Sequence, residues 1–262
     1  MDRDRLVSLF GLEGRVALVT GARQGIGRAL ALGLARAGAH VATTARDAAS
    51  LSDLARELDE LGSEHAELGL ELRDPASIDA AVAAVVERWG RLDVLVNNAG
   101  VPLRKDALET TVEEWDEVLE TNLRGAFLMS RAAAHAMAGS GGRIVNVSST
   151  FARAPVASRS AYAASKAALE QLTRVLALEW ASLGITVNAV APTTIVTESR
   201  RDLFADPAAR DARVREIPLG RLGDAEDLVG AVLLLAGDAG RFMTGTTIAV
   251  DGGYSVGRGA GG

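Results

Sequence analysis

Short apolar runs alternate along the chain with amphipathic or alanine-rich stretches, and this alternation predicts the fold class. Strands are expected at 16–20, 41–44, 65–70, 94–97, 144–148, 186–190 and 246–250, with helices near 25–37, 48–61, 75–89, 111–138, 158–183 and 224–236. Several runs, such as Val16-Ala17-Leu18-Val19 and Val94-Leu95-Val96, are apolar without alternation, the pattern of strands covered on both faces. Alternating β and α segments with doubly buried strands predict an α/β fold, a parallel sheet with helices on both sides. No repeat of 20–50 residues and no Pro- or Ser-rich linker divides the sequence, so 1–262 is expected to form a single domain. Residues 193–218 break the alternation: they hold charges, two prolines and short helical stretches just after a strand's C-terminal end. That edge of an open α/β sheet carries the ligand, which makes 193–218 a candidate lid. The tail 257–262 (GRGAGG) is expected to be flexible.

Composition narrows the chemistry. With 48% hydrophobic residues in 262, there is ample material for a core. The absence of cysteine excludes disulfides, thiol nucleophiles and Cys-based zinc or iron–sulfur sites, and three scattered histidines (His40, His65, His135) argue against a His-built metal site. A net charge of −6 speaks against a dedicated nucleic-acid binder. The first ten residues carry four charges before any apolar run, unlike a signal peptide, and the longest apolar stretches, such as 232–236, are far too short to cross a bilayer. The default expectation is a soluble cytoplasmic protein.

The first expected strand leads into Thr20-Gly21-Ala22-Arg23-Gln24-Gly25-Ile26-Gly27, which opens directly into a helix. A dinucleotide pyrophosphate needs backbone N–H groups at a helix N-terminus and no β-carbon where the chain passes closest. Gly21, Gly25 and Gly27 meet that need at a G-x3-G-x-G spacing; in a chain with 28 glycines the strand–loop–helix context carries more weight than the spacing itself. Arg23 lies in this loop and Arg46 follows the second strand, where an acidic residue would instead accept bonds from the ribose hydroxyls of NAD(H). Arginine can pair with a 2′-phosphate, so NADP(H) is favoured over NAD(H), against the plainer reading of two solvated charges.

The chain holds two tyrosines and two lysines against 26 arginines, yet Tyr162 and Lys166 stand four residues apart on one expected helix. At such scarcity a Tyr-x3-Lys pair arises by chance only about 0.015 times, and residues four apart share a helical face. Arginine has replaced lysine almost everywhere except here, which suggests a task for a compact ammonium. A phenol titrates near pH 10, and an adjacent ammonium lowers that value. Tyr162 could then exchange a proton with an alcohol or carbonyl oxygen beside a hydride-carrying nicotinamide. The competing reading is a packed tyrosine with a snorkelling lysine.

Taken together, Thr20-Gly21-x3-Gly25-Ile26-Gly27, Asn97-Asn98-Ala99-Gly100, Thr121-Asn122, Ser149 and Tyr162-x3-Lys166 resemble the short-chain dehydrogenase/reductase family in its single-domain branch, in order and at family spacing from about Leu12 to Tyr254. The resemblance implies a Rossmann-like three-layer sandwich around a seven-stranded, mostly parallel sheet, assembled as a homotetramer through the helices near 111–138 and 158–183. It implies that Tyr162 is the general acid/base, that Lys166 lowers its pKa and bonds the nicotinamide ribose, and that Ser149 polarises the substrate oxygen. Ser148 is the alternative, since a one-residue shift at a strand end turns a hydroxyl away. Asn122 resembles the member that holds a water leading protons to Lys166; an amide satisfying a helix bend is the other reading. Asn97 is expected to be structural. The cofactor set implied is Gly21, Arg23, Gln24, Gly25, Ile26, Gly27, Arg46, Glu71, Leu72, Asn98, Ala99, Gly100, Tyr162, Lys166, Pro192, Ile195 and Thr197. Two departures stand out: Thr193 replaces a usual glycine, removing left-handed freedom, and Glu71 replaces a usual aspartate.

Residues 1–40 and 179–254 are most similar to sugar-acid dehydrogenases of the gluconate 5-dehydrogenase type, with 3-oxoacyl-carrier-protein reductases close behind. The resemblance therefore implies interconversion of a secondary alcohol and a ketone on a small-molecule substrate. Arg153, Arg159, Arg200 and Arg201 fall in the loop and lid expected over that substrate. They could pair with an anion, but solvated surface charges are the plainer reading. A non-catalytic NADP(H)-binding sensor is the alternative from another class, and an epimerase or dehydratase on a related fold is a third.

Overall fold

The computed structural model describes residues 2–198 and 205–257. A short helix, α1 (Arg3–Ser8), precedes a regular alternation: β1 (Val16–Val19), α2 (Gly25–Arg36), β2 (His40–Ala45), α3 (Ser52–Glu60), β3 (His65–Gly69), α4 (Pro75–Trp89) and β4 (Val94–Asn97). The second half continues with α5 (Val112–Leu119), α6 (Ala126–Met137), β5 (Gly142–Val147), α7 (Ser160–Trp180), β6 (Ile185–Pro192), β7 (Ile195–Val196), α8 (Pro207–Arg215), β8 (Gly223–Asp224), α9 (Val229–Ala236) and β9 (Thr247–Val250). Seven strands form one parallel sheet in the order β3-β2-β1-β4-β5-β6-β9. The order reverses between β1 and β4, and at such a crossover the loops leaving the strands diverge and open a crevice.

The apolar runs explain the layers. In β1 and β4, Ala17, Val19, Val94 and Val96 face one core with residues of α2 and α9, while Leu18 and Leu95 face a second core with residues of α4, α6 and α7. Both faces of each strand are therefore dry, so no polar alternation survives in the sequence. Polar side chains that do enter this core are paired: Asn97 donates to Ser130 Oγ (2.8 Å) and to the Asn146 amide oxygen (2.9 Å), and Asn146 donates to Thr173 Oγ1 (2.9 Å). These bonds tie β4 and β5 to α6 and α7 just below the crevice.

Three features depart from the expected elements. The helix expected over 111–138 contains a π-helical turn, Glu120–Gly125, between α5 and α6. The extra residue in such a turn leaves no trace in an alanine-rich periodicity. A two-stranded parallel ribbon pairs Ile195 with Gly223 and Val196 with Asp224 across the lid segment. Strands of two residues are too short to show a pattern. The helix expected near 224–236 begins as a 3₁₀ turn, Ala225–Leu228, capped by Asp224. Within the candidate lid, α8 is a described helix; Arg200 and Arg201, and 258–262 of the tail, lie outside the described residues.

Candidate active site

The glycine loop is built by what it leaves out. Gly21 and Gly25 adopt left-handed backbone (φ 66° and 61°), which side chains other than glycine resist. Space is also missing: a β-carbon on Gly21 would lie 2.9 Å from the Ala99 backbone, and one on Gly25 would lie 2.8 Å from Thr197 Cγ2. A β-carbon on Gly27 would run into the Gly21 carbonyl and the Asn98 amide. The loop ends at the N-terminus of α2, where Gln24 holds the cap position without a side-chain cap bond. Uncapped N–H groups at the positive end of a 12-residue helix, beside a cradle free of β-carbons, fit a pyrophosphate. Ile26, half-buried, packs against the core shared by α2 and α9.

Asn98 and Thr20 brace this loop. Asn98 Nδ2 donates to the carbonyls of Thr20 (2.9 Å) and Gly21 (3.0 Å), while Thr20 Oγ1 accepts from the N–H groups of Asn98 and Ala99 (both 3.0 Å). Thr20 was visible in the sequence only as a neighbour of the first glycine. Arg23 and Arg46 are exposed, and among the described residues neither is engaged in a hydrogen bond or ion pair. Glu71 is less free: its carboxylate accepts from Arg73 N–H (3.0 Å) and lies 3.5 Å from the Arg73 guanidinium. Leu72 buries its side chain in the second core, and Ile195 buries its own in the first, so any cofactor contact from either is left to the main chain. Pro192 ends β6 opposite Val250. Thr193 is not left-handed, since Ser158 (φ 61°) is the only described non-glycine residue with positive φ, and Thr193 Oγ1 is buried without a partner.

Across the crevice, α7 carries Tyr162 and Lys166 on one face. Lys166 is buried (4% exposed), its Nζ donates to the Val147 carbonyl at 2.7 Å, and it sits 5.8 Å from the centre of the Tyr162 ring. Burial brings the ammonium down to a pKa of about 8. A β-carbon on Gly100 would lie 3.7 Å from this Nζ and 3.0 Å from Asn122 Oδ1, so Gly100, Asn122 and Lys166 converge. Asn122 stands in the π-helical turn and clamps Val101: Oδ1 accepts from its N–H (2.8 Å) and Nδ2 donates to its carbonyl (3.1 Å). Nδ2 also donates to Ser165 Oγ (3.2 Å), whose hydroxyl donates to the Tyr162 carbonyl (2.8 Å). The amide thus joins the loop after β4 to the helix of Tyr162.

The two serines at the end of β5 diverge. Ser148 Oγ turns toward α7 and shares its single hydrogen between Glu170 Oε1 (3.1 Å) and the Lys166 carbonyl (3.3 Å). Ser149 Oγ accepts from Phe151 N–H (3.2 Å), capping a 3₁₀ turn, Thr150–Ala152. Phe151 meets Tyr162 and Tyr254 edge-on, with centroids 6.4 Å apart in each pair. Tyr254, the other tyrosine, reaches this cluster from a segment pinned by Asp251, which accepts from Gly253 N–H (2.9 Å) and Ser255 N–H (2.8 Å). The sequence offered no signal for Phe151 beyond its place two residues after Ser149.

Neither arginine of the loop between β5 and α7 is a loose surface charge. Arg153 Nε donates to the buried Glu170 carboxylate (2.8 Å), and Arg159 donates to the Leu103 carbonyl (3.2 Å). Among the described residues no cluster of three or more His, Cys, Asp or Glu side chains could hold a metal ion, and no helix is long and apolar enough to cross a membrane.

Known proteins resemble this chain over nearly its whole length. The family profile described as Enoyl-(Acyl carrier protein) reductase matches residues 21–255. The chain is 39% identical over 251 residues to 2-dehydro-3-deoxy-D-gluconate 5-dehydrogenase of Escherichia coli (strain K12), covering 95% of this chain and 98% of that protein. It is 41% identical to the 3-oxoacyl-(acyl-carrier-protein) reductase of Pseudomonas aeruginosa, covering 93% and 98%. Among solved structures, a gluconate 5-dehydrogenase from Burkholderia cenocepacia J2315 in complex with NADP and tartrate superposes with a TM-score of 0.91 at 34% identity, covering 96% of this chain and 99% of that one.

Proposed function

The chain belongs to the short-chain dehydrogenase/reductase family and is an NAD(P)-dependent oxidoreductase of alcohols and ketones, and from that premise we propose that it interconverts a secondary alcohol and a ketone on a sugar acid or related polyol, with Tyr162 as the general acid/base. A nicotinamide held in the crevice would give hydride to the carbonyl carbon in reduction and accept it from the carbinol carbon in oxidation. Tyr162 gives the proton to the carbonyl oxygen in reduction, or takes it from the hydroxyl in oxidation. Lys166, mostly protonated at neutral pH with a pKa of about 8, places a positive charge beside the Tyr162 ring that would stabilise a phenolate. Ser149, with a lone pair of its oxygen occupied by Phe151 N–H, keeps its own hydrogen to polarise the substrate oxygen. Asn122 holds the Val101 backbone and Ser165 beside Lys166, where a relayed proton would enter.

The observation that carries this reading is a buried ammonium beside a tyrosine ring in a chain with only one other lysine against 26 arginines. The cradle of Gly21, Gly25 and Gly27, braced by Asn98, would hold the pyrophosphate; Ala99 and Gly100 would line the ribose, and Pro192, Ile195 and Thr197 would hold the carboxamide. NADP(H) is the cofactor favoured in this reading, because Arg23 in the glycine loop and Arg46 after β2 are exposed and could pair with a 2′-phosphate. The whole chain acts as one domain with 193–218 as its substrate lid. A homotetramer through α5, α6 and α7 is supported by apolar side chains exposed on α5 and α7, Val112, Trp115, Val175 and Leu178. A 3-oxoacyl-carrier-protein substrate is the second reading, favoured by 41% identity to a reductase of that name.

The test is a substrate screen following reduced nicotinamide absorbance, with gluconate-type polyols, simple ketones and a 3-oxoacyl thioester, each with both cofactors. Turnover of a member of the panel is expected. Tyr162→Phe should lower it roughly a hundred- to ten-thousand-fold while NADPH binding, read by fluorescence titration, stays nearly intact. No turnover with any substrate would leave a cofactor-binding sensor, and a variant as active as the parent would overturn the role of Tyr162.

A further inference from the structure

Glu170 has no part in the chemistry above, yet it is one of the most buried charges in the molecule, at 4% exposure. It stands on α7 one helical turn beyond Lys166 and two beyond Tyr162, on the same face. Withdrawing a carboxylate from water is unfavourable unless its oxygens are bonded. Both are: Ser148 Oγ donates to Oε1 (3.1 Å) and Arg153 Nε donates to Oε2 (2.8 Å). The two donors bracket 149–152, the segment that contains Ser149 and Phe151. The hydrogen bond that Ser149 Oγ accepts from Phe151 N–H lies inside the same segment and does not tie it to α7. Glu170 does. One carboxylate fastens the residue before the segment and the residue after it to the helix that bears Tyr162.

We propose that Glu170 is a positioning residue for proton transfer: its two oxygens clip Ser148 and Arg153 to α7 and so fix Ser149 opposite Tyr162. The proposal rests on the reading of Ser149 as the group that polarises the substrate oxygen. It assigns Arg153 to the clip rather than to an anionic substrate, and it gives Ser148 a reason to turn away from the crevice. A strand end leaves the following loop free to shift, and an error of about 1 Å in such a constellation lowers rates about a hundredfold.

The experiment is a double-mutant cycle on the full-length protein with its best substrate, comparing the parent, Ser149→Ala, Glu170→Gln and the double variant for kcat, KM, NADPH affinity and thermal midpoint. Glu170→Gln should lower kcat by about ten- to a hundredfold, leave NADPH affinity within about twofold, and cause no further loss once Ser149 is alanine. Equal losses in both backgrounds would overturn the clip, because a merely structural defect adds to the serine's. Arg153→Met, at the half-exposed end of the clip, is run as a second cycle that stands in if Glu170→Gln does not fold, and its loss should vanish in the Ser149→Ala background in the same way. If Ser149→Ala leaves kcat unchanged, the reading of the serine falls and the clip with it. A large serine effect with an additive Glu170 loss refutes the clip alone.

Discussion

The two walls of the crevice are made by opposite means. On the β1–β2 side, the cofactor wall is backbone: three glycines, an uncapped helix end, and two arginines without a side-chain partner among the described residues. On the β4–β5–α7 side, polar side chains are buried and committed, with Asn122, Ser148, Lys166 and Glu170 each bonded to named neighbours. The difference follows from what each wall must do. A diphosphate is held by N–H groups that any residue carries, so the wall need only remove obstacles. Proton transfer needs particular atoms at particular places, so that wall must fix side chains and accept the desolvation this entails.

Substitutions can test how far the contrast holds. The largest effect is expected at Lys166→Met, which should cut turnover roughly a hundredfold or more while the thermal midpoint holds or rises, because a buried ammonium no longer has to be desolvated. A fall in both would mean the lysine is a structural strut. Gly27→Ala should do the reverse. Its methyl has no room beside the Gly21 carbonyl and the Asn98 amide, so NADPH affinity should drop and stability fall by about 1–3 kcal/mol. Unchanged affinity would show that the cradle tolerates a side chain. Arg46→Asp should move the ratio of kcat/KM for NADPH over NADH by about tenfold or more toward NADH, with turnover on the better cofactor preserved. A constant ratio would retire the phosphate pairing.

The remaining test is a pH dependence. Lys166 titrates near 8 when folded and near 10.5 when unfolded, so between those values the unfolded chain binds more protons. Stability should therefore rise from about pH 8 to 10.5, and it lacks this contribution as pH falls through 8. The gain is of order 3 kcal/mol, read as the difference between parent and Lys166→Met in denaturant titrations across that window. Parallel curves would remove the basis for a depressed lysine.

The cofactor wall was the more legible of the two in sequence. Glycines in a strand–loop–helix setting announce themselves, and doubly buried strands leave unbroken apolar runs. The catalytic wall was legible only where residue types were scarce, as with Tyr162 and Lys166. Choosing between Ser148 and Ser149 depends on which way a strand end twists, and adjacent identical residues carry no information about that. Glu170 is one acidic residue among 34 in the chain, indistinguishable in one dimension from a solvated helix charge. The π-helical turn that seats Asn122 was hidden because one extra residue in an alanine-rich helix barely disturbs its periodicity. Arg153 misled for a related reason: its partner lies 17 residues away, on another element.

The scarcity of lysine has a practical side. Lys105, in the loop after β4 and paired with Glu114 at 2.8 Å, is the one side-chain amine within reach of solvent while Lys166 stays sealed. An acylating dye will therefore mark the folded protein at one side chain and the unfolded protein at two, so that mass spectrometry of the adduct counts opened molecules directly.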